Sequence, residues 1–436
     1  MHETHLPGPA EPAGRSGADV AVIGAGLSGL AAAIDLARVG RSVVVYDART
    51  EIGGRARTTE RDGFLLNEGP HALYRTGAAH RFLVREGLEP AGGEPRADRA
   101  VGVAADLMGP LPADARSLLR TPLLKGERIR FARLFAGLGR LDTAALDDVT
   151  VDDGVRRLLG DGRGAAVLRS LLRVATYGND PSVMSAGVAI AQLRESLNTP
   201  VRYVDGGWAV IVDSLTRRLE ELGGQVVSGA KVRAVNERTD GVEVVTDSGS
   251  TSAAAVVIAA GGPAAVEALC GVNPAPFARP STVASLDVGL RTGWGGQPTF
   301  AVGLDEPLYL SVHAPVARLG PDGHSLVGVM RYHPFGDTVD ADHDRVVMEA
   351  LLDQVRPGWR DDAVHVGFRA RMVATHDQPQ AARGALAGRA PVTVAGHQRV
   401  VVAGDWVGND GLLADACFAS AVTAAASIAE RIPVTA

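Results

Sequence analysis

The chain has 436 residues, 46% of them hydrophobic, and is too long for one compact core, so two domains are expected. With 44 basic against 50 acidic residues it carries no global basic field, and nucleic acid is not an expected partner. The only two cysteines, Cys270 and Cys417, lie far apart without metal-ligand spacing, so no metal site is expected and both thiols should be free in a reducing, cytoplasmic setting. Arginine makes up 42 of the 44 basic residues, leaving Lys125 and Lys231 as the only lysines for any mechanism that needs one.

Residues 1–18 are rich in Pro, Gly and polar groups and lack the apolar run of a secretory signal, so they read as a disordered tail. The apolar stretches that follow are interrupted short of the ~18 residues that cross a bilayer, and a soluble protein is expected. From Asp19 to Ala48 the pattern is strand, tight turn, helix, strand. Gly24, Gly26 and Gly29 form GxGxxG at the turn, where Leu27 and Ser28 open the helix and backbone amides can meet a pyrophosphate. Asp47 ends the second strand, followed by Ala48 and Arg49, and an acidic side chain there suits a ribose hydroxyl pair and disfavours a 2'-phosphate. That unit binds a dinucleotide and leaves NAD and FAD both open.

A second glycine pair follows at once in "EIGGRART", where Gly53 and Gly54 precede Arg55 and Arg57, whose guanidinium groups could reach phosphate oxygens. Then comes "GFLLNEGPHALY", containing Gly69, Pro70 and His71. Near the other end, "VVVAGDWVGNDGLLADACFASAVTAAASIAERI" runs from an apolar strand through Gly404 and Asp405 to a small-residue helix near Gly411. A carboxylate past a strand end can accept from ribityl hydroxyls, and the amides of Leu412 and Leu413 at a helix start suit a partly anionic carbonyl. Together these stretches resemble the flavoprotein superfamily of phytoene desaturases, protoporphyrinogen oxidases and flavin amine oxidases.

The resemblance implies an α/β fold: a Rossmann-like FAD-binding domain of the amine-oxidase type, with an α+β cap that binds substrate. It divides the chain into a discontinuous FAD domain (residues 19–95, 201–262 and 392–432) and a cap (96–200 and 263–391). In the middle segment, "YVDGGWAVIVDSLTRRLEELGGQVVSGAKVRAV" resembles the superfamily's return into the FAD domain, which sets Val232 against adenine. The apolar strand 253–262 ends beside the cofactor at Ala260 and Gly261.

In the cap, "SVMSAGVAIAQLRESL" reads as a helix over 182–197, "STVASLDVGL" and "HSLVGVMRY" as strands, and "DRVVMEALLDQV" as a helix. The basic, leucine-rich segment 116–140 is broken by Pro122 and Gly126, which favours a cap helix with a solvated arginine face over contact with a membrane surface.

Flavin amine oxidases usually place a lysine from a substrate-domain strand beside the flavin, and this chain has none there. The departure moves weight toward desaturase-like removal of hydride from a carbon of an apolar small molecule, with oxygen or a quinone as electron acceptor. A redox-neutral flavin-dependent isomerase, an atypical amine oxidase and a non-catalytic FAD-binding protein are the alternatives. Neither cysteine falls in the loop that links flavin in relatives, so non-covalent FAD is expected. Polar residues expected to face the substrate pocket are Tyr177, Tyr309, His313, Tyr332 and Trp406, with His313 and Tyr332 as catalytic candidates and the flavin itself as the main agent.

Overall fold

The computed structural model describes residues 17–95, 99–105, 107–112 and 114–431. The expected tail therefore lies, apart from its last two residues, outside the described residues, as does Ile432. The strand Val20–Ile23 is flanked on one side by Ala255–Ile258 and Val400–Val402 and on the other by Val43–Tyr46 and Gln225–Val227. All four pairings are parallel, in a register that sets Ile23 against both Tyr46 and Ile258. Val20–Ile23, Ala255–Ile258 and Val400–Val402 are buried on both faces and are the near-continuous Val/Ile runs seen in the sequence, whereas the outer strand Gln225–Val227 is partly exposed.

Gly24 takes a φ of 102°, and a Cβ there would sit 3.0 Å from the Ala259 carbonyl oxygen, so only glycine makes this turn. Gly29 lies in the helix Leu27–Arg38, where a Cβ would come within 1.8 Å of the Gly24 carbonyl oxygen. These two glycines shape the protein itself. The closing helix, Leu413–Arg431, packs on Leu27–Arg38 through Phe418, Ala421, Ala424, Ala425 and Ile428.

The closing helix corrects one expectation: its 19 residues, with a mean hydropathy of 1.3, are long and apolar enough to cross a membrane. Its apolarity has a second physical cause, because half of it is buried inside the protein, partly in this helix-to-helix contact, which alanine brings close.

The cap is a seven-stranded sheet in the order Ala363–Thr375, Ser281–Leu290, Ser325–His333, Leu308–Ala314, Phe300–Gly303, Ala100–Ala104 and Leu107–Pro110. Alternation along these strands sorts two cores. Leu286, Val288, Leu310, Val312, Val327 and Val329 face Met348, Leu351, Leu352 and Val355 of the helix Ala341–Val355. Val283, Tyr309 and Tyr332 face the helices of the first insertion, among them Arg163–Thr176 and Ala186–Asn198.

The helix expected from Ser182 starts instead at Ala186, because the Ser185 side chain accepts from Val188 N and caps it there. The basic segment breaks into Ala115–Arg120, Pro122–Leu124 and Arg128–Gly137, with Leu123, Leu124 and Phe131 buried and Leu119 and Ile129 exposed. The return strand also divides: Gln225–Val227 joins the parallel sheet, whereas Val232–Glu237 opens a separate antiparallel meander.

Candidate functional site

A groove of about 770 Å³ crosses the carboxyl ends of the parallel strands, where open α/β sheets bind their ligands. Its walls include Gly24, Gly26, Leu27 and Ser28; Asp47, Ala48 and Arg49; Gly53, Gly54, Arg55 and Arg57; Pro70, Val232, Ala260 and Gly261; and Gly404, Asp405 and Leu413. Five other expected positions, Gly29, Gly69, His71, Gly411 and Leu412, do not line it. Gly29 supports the turn from within, and Leu412 is buried against Val188 and Ala385 of the cap.

At one end Asp47 is held by its own backbone surroundings: Oδ2 accepts from Ala25 N at 2.8 Å and Oδ1 from Arg49 N at 2.9 Å. The Asp47 carbonyl oxygen accepts from Ala230 N, which carries the chain past Lys231 to Val232. The two glycine motifs touch, since Gly53 N donates to the Ala25 carbonyl at 2.9 Å. Their amides and the start of the helix Leu27–Arg38 thus meet on one wall, a cradle for a diphosphate.

The arginines already have carboxylate partners. Arg57 is paired with Glu68, which also accepts from Thr59 Oγ1 at 2.6 Å. Arg55 donates from one nitrogen to Asp405 Oδ2 and to the Ala374 carbonyl, both at 2.8 Å. Asp405 is 1% exposed and accepts twice more, from His376 N and from the His376 ring, both at 2.9 Å. Burial disfavours the Asp405 charge, but Arg55 and His376 outweigh it and hold the carboxyl well below its ordinary value. Asp405 therefore fixes Arg55 and His376 at the groove wall as an ionised anchor.

Behind Pro70, His71 turns away from the groove and meets the cap. Its Nδ1 donates to the Gly69 carbonyl at 3.0 Å, which leaves Nε2 as the acceptor facing His313 Nε2 at 3.1 Å. His313 Nε2 in turn lies 2.7 Å from Ser311 Oγ, and the Tyr203 ring packs against both imidazoles. Burial pushes both histidines below their ordinary value, His313 strongly, so the pair is neutral at pH 7.

Tyr177, Tyr309 and Tyr332 belong to the same buried layer, and burial raises each phenol well above its usual range. None of the three lines the groove, but Met372 and Leu413 pack against this layer and do line it. Trp406 corrects an expectation: its indole is buried on the parallel-sheet side of the molecule among Val256, Ile258 and Val400, with Nε1 donating to the Gly261 carbonyl at 3.4 Å. It does not face the cap.

Sequence reasoning missed Glu68, Trp208, Met372, Ala374, His376 and Cys417, all on the groove wall. Glu68 stands inside a motif that was read, and an acidic residue at a glycine turn was a usable signal. Met372 and Ala374 lie near the end of the long cap strand Ala363–Thr375 and His376 just past it, with no glycine signature, and only packing brings them to the groove. Both cysteines are free thiols, as expected.

The chain matches the family described as flavin containing amine oxidoreductase over residues 27–291, more than half its length. It belongs to that family. Its cofactor is accordingly a flavin, and the family is one of oxidoreductases. A hydroxysqualene dehydroxylase of Rhodopseudomonas palustris is 32% identical over 250 residues, covering 51% of this chain and 56% of that protein. A chloroplastic protoporphyrinogen oxidase of Oryza sativa subsp. japonica is 31% identical over 243 residues, covering 53% of this chain and 39% of that protein. The chain thus spans about half or less of the length of these curated relatives. The solved cyclohexylamine oxidase of Brevibacterium oxydans superposes with a TM-score of 0.68 at 19% identity, covering 95% of this chain and 99% of that one, and so shares the fold.

Proposed function

We propose that the protein holds FAD non-covalently along the groove and removes hydride from a carbon of a small molecule presented from the cap, with oxygen or a quinone as final acceptor. In this reading Asp47 and Val232 hold the adenosine end, the Gly24–Gly29 turn with Gly53 and Gly54 holds the diphosphate, and Gly404, Asp405 and Leu413 flank the reactive end. The bound flavin supplies the hydride acceptor. The observation that carries the proposal is the groove itself, laid over a glycine turn and a helix start and closed on its far side by Met372, Val373 and Ala374 of the cap.

The chain's own residues favour a substrate that needs no strong base. Lys125 is exposed on the first insertion and Lys231 stands at the Asp47 end, so neither ammonium group is near the cap wall. His71 and His313 are neutral and the buried phenols stay protonated, so the layer behind this wall holds neutral donors and acceptors and no base charged at pH 7. Met372, Val373 and Leu413 supply apolar surface for the body of the substrate. Cys417 lies in the groove, but burial, with the Asp405 charge adding to it, pushes its thiol up to about 11, and a neutral thiol is a poor linker to flavin.

The test is anaerobic mixing of the purified yellow protein with polyene, porphyrinogen and amine candidates while following the flavin band near ~450 nm. Bleaching by one class, with colour restored by oxygen or a quinone, supports the proposal. Turnover of a substrate to an isomer without net electron flow overturns the oxidative reading, and a protein that binds no FAD overturns the whole of it.

A further inference from the structure

At one non-glycine position the groove wall is strained. Leu413, which lines the groove, holds a φ of 54°, and Gly411 two residues before it a φ of 68°. Leu412 between them is buried against Val188 and Ala385, and Ala385 in turn holds a φ of 57°. Two of the four non-glycine residues with positive φ among the described residues therefore meet at this turn. Such conformations are costly and persist only where surrounding contacts hold them. The turn opens the helix Leu413–Arg431, and the amides of Leu413 and Ala414, both residues of the groove wall, donate to no acceptor of the described residues.

A buried arginine grips this turn. Arg389 Nη1 donates to the Gly411 carbonyl at 2.9 Å. Arg389 is 7% exposed, and its Nε is buried without a hydrogen-bond partner. No carboxylate of the described residues stands within ion-pair distance of it. The carboxylates that act on it, Asp377 and Asp405, do so from farther away. Asp405 is already paired with Arg55 and His376, and Asp377 accepts from Arg279 N at 2.9 Å. Burial pushes the Arg389 guanidinium below its ordinary value, against the pull of these two carboxylates. A guanidinium so buried, with no anion in contact, acts strongly on any charge that develops nearby, because little solvent screens it.

We propose that Arg389 is a positioning residue for the flavin: it clamps the turn at Gly411 so that the free amides of Leu413 and Ala414 meet the reactive end, and its charge favours the reduced cofactor over the oxidised one. This rests on the proposed placement of FAD, with its reactive end flanked by Asp405 and Leu413. A two-electron reduction that takes up one proton gives the flavin one negative charge. The amides and the guanidinium stabilise that charge more than they stabilise the neutral oxidised ring. Arg389 also stands where the chain leaves the cap, since the next carbonyl, that of Ala390, accepts from Gly408 N at 2.8 Å. One side chain thus fixes the end of the cap against the start of the closing helix.

The experiment measures the flavin reduction potential of the FAD-loaded protein by anaerobic equilibration with a redox dye, beside FAD titration of the oxidised protein. Arg389→Met should weaken reduced FAD relative to oxidised FAD at least about tenfold, which lowers the potential by about 30 mV for a two-electron couple. Arg389→Gln, polar but uncharged, should do the same. Arg389→Lys keeps the charge and should hold that ratio within about twofold of the parent, about 9 mV. An unchanged potential in Arg389→Met and Arg389→Gln, or an equal weakening of oxidised and reduced FAD, overturns the proposal and leaves Arg389 a packing residue. Loss of FAD from all three variants overturns it likewise. A parent protein that binds no FAD would instead overturn the placement of the flavin, and flavin that no substrate bleaches would count against the proposed oxidation alone.

Discussion

Replacing Gly26 by valine separates what the glycine turn does for the protein from what it does for the cofactor. Gly26 has φ −85° and ψ −176°, an extended conformation open to any residue, and a Cβ there would meet only the Gly53 carbonyl oxygen, at 3.8 Å. The unliganded fold should tolerate the change, with a stability shift within about 1 kcal/mol. The added carbon instead occupies groove space against the helix start, where a diphosphate must approach the backbone. Losing two hydrogen bonds from backbone amides to phosphate, each worth about 1.5–3 kcal/mol, weakens FAD by roughly 10²–10⁴-fold.

The assay is FAD titration by absorbance, beside thermal unfolding of the flavin-free protein by circular dichroism. Gly29→Ala is the converse control, since its Cβ would lie 1.8 Å from the Gly24 carbonyl oxygen and should damage folding itself. A Gly26→Val protein that folds and binds FAD within about threefold of the parent would refute the assignment of this turn to the diphosphate.

Asp405→Ala should leave Arg55 and His376 without their anchor. Because a third of the Arg55 side chain remains at the groove surface, the stability cost is set below that of a fully buried pair, about 2 kcal/mol by urea unfolding. FAD affinity should fall as well, and an unchanged dissociation constant would remove Asp405 from the site.

Asp415 should make stability fall with rising pH. Its carboxylate accepts from Ala79 N at 2.8 Å, and burial, against that bond, raises it from 3.8 to about 7. The folded state therefore holds a proton that the unfolded chain releases, so the stabilisation is complete below about pH 4 and lost as pH climbs through 7. The loss is on the order of 4 kcal/mol. Asp415→Asn keeps an acceptor for Ala79 N and cannot ionise, so its stability should be nearly level between pH 5 and pH 8; the parent's slope persisting in this variant would refute the assignment.

The proposed cofactor site was legible in the sequence wherever geometry is imposed over a short span of chain. Gly24, Gly26 and Gly29 with Asp47 lie within one strand–helix–strand unit, and neighbouring residues alone dictate their turn and helix start. The same holds for the positions of Gly53, Gly54, Gly404 and Leu413 on the groove wall.

What the tertiary structure decided is who pairs with whom over long separations. Arg55 read as a phosphate ligand, yet it is bound to Asp405, 350 residues away. His71 read as a flavin contact, yet it is turned toward His313, 242 residues away. Trp406 read as a pocket residue, and a single glycine carbonyl at Gly261 together with the packing of parallel strands holds it in the other core.

By itself, then, the sequence determined a dinucleotide-binding, Rossmann-like half, because repeated local backbone geometry carries that information, while the choice of a flavin came from the resemblance to known flavoproteins. The cap wall and the neutral histidine pair depended on elements brought together from distant segments. The spacing of residues along a chain does not specify which side chains a folded interior leaves without a partner.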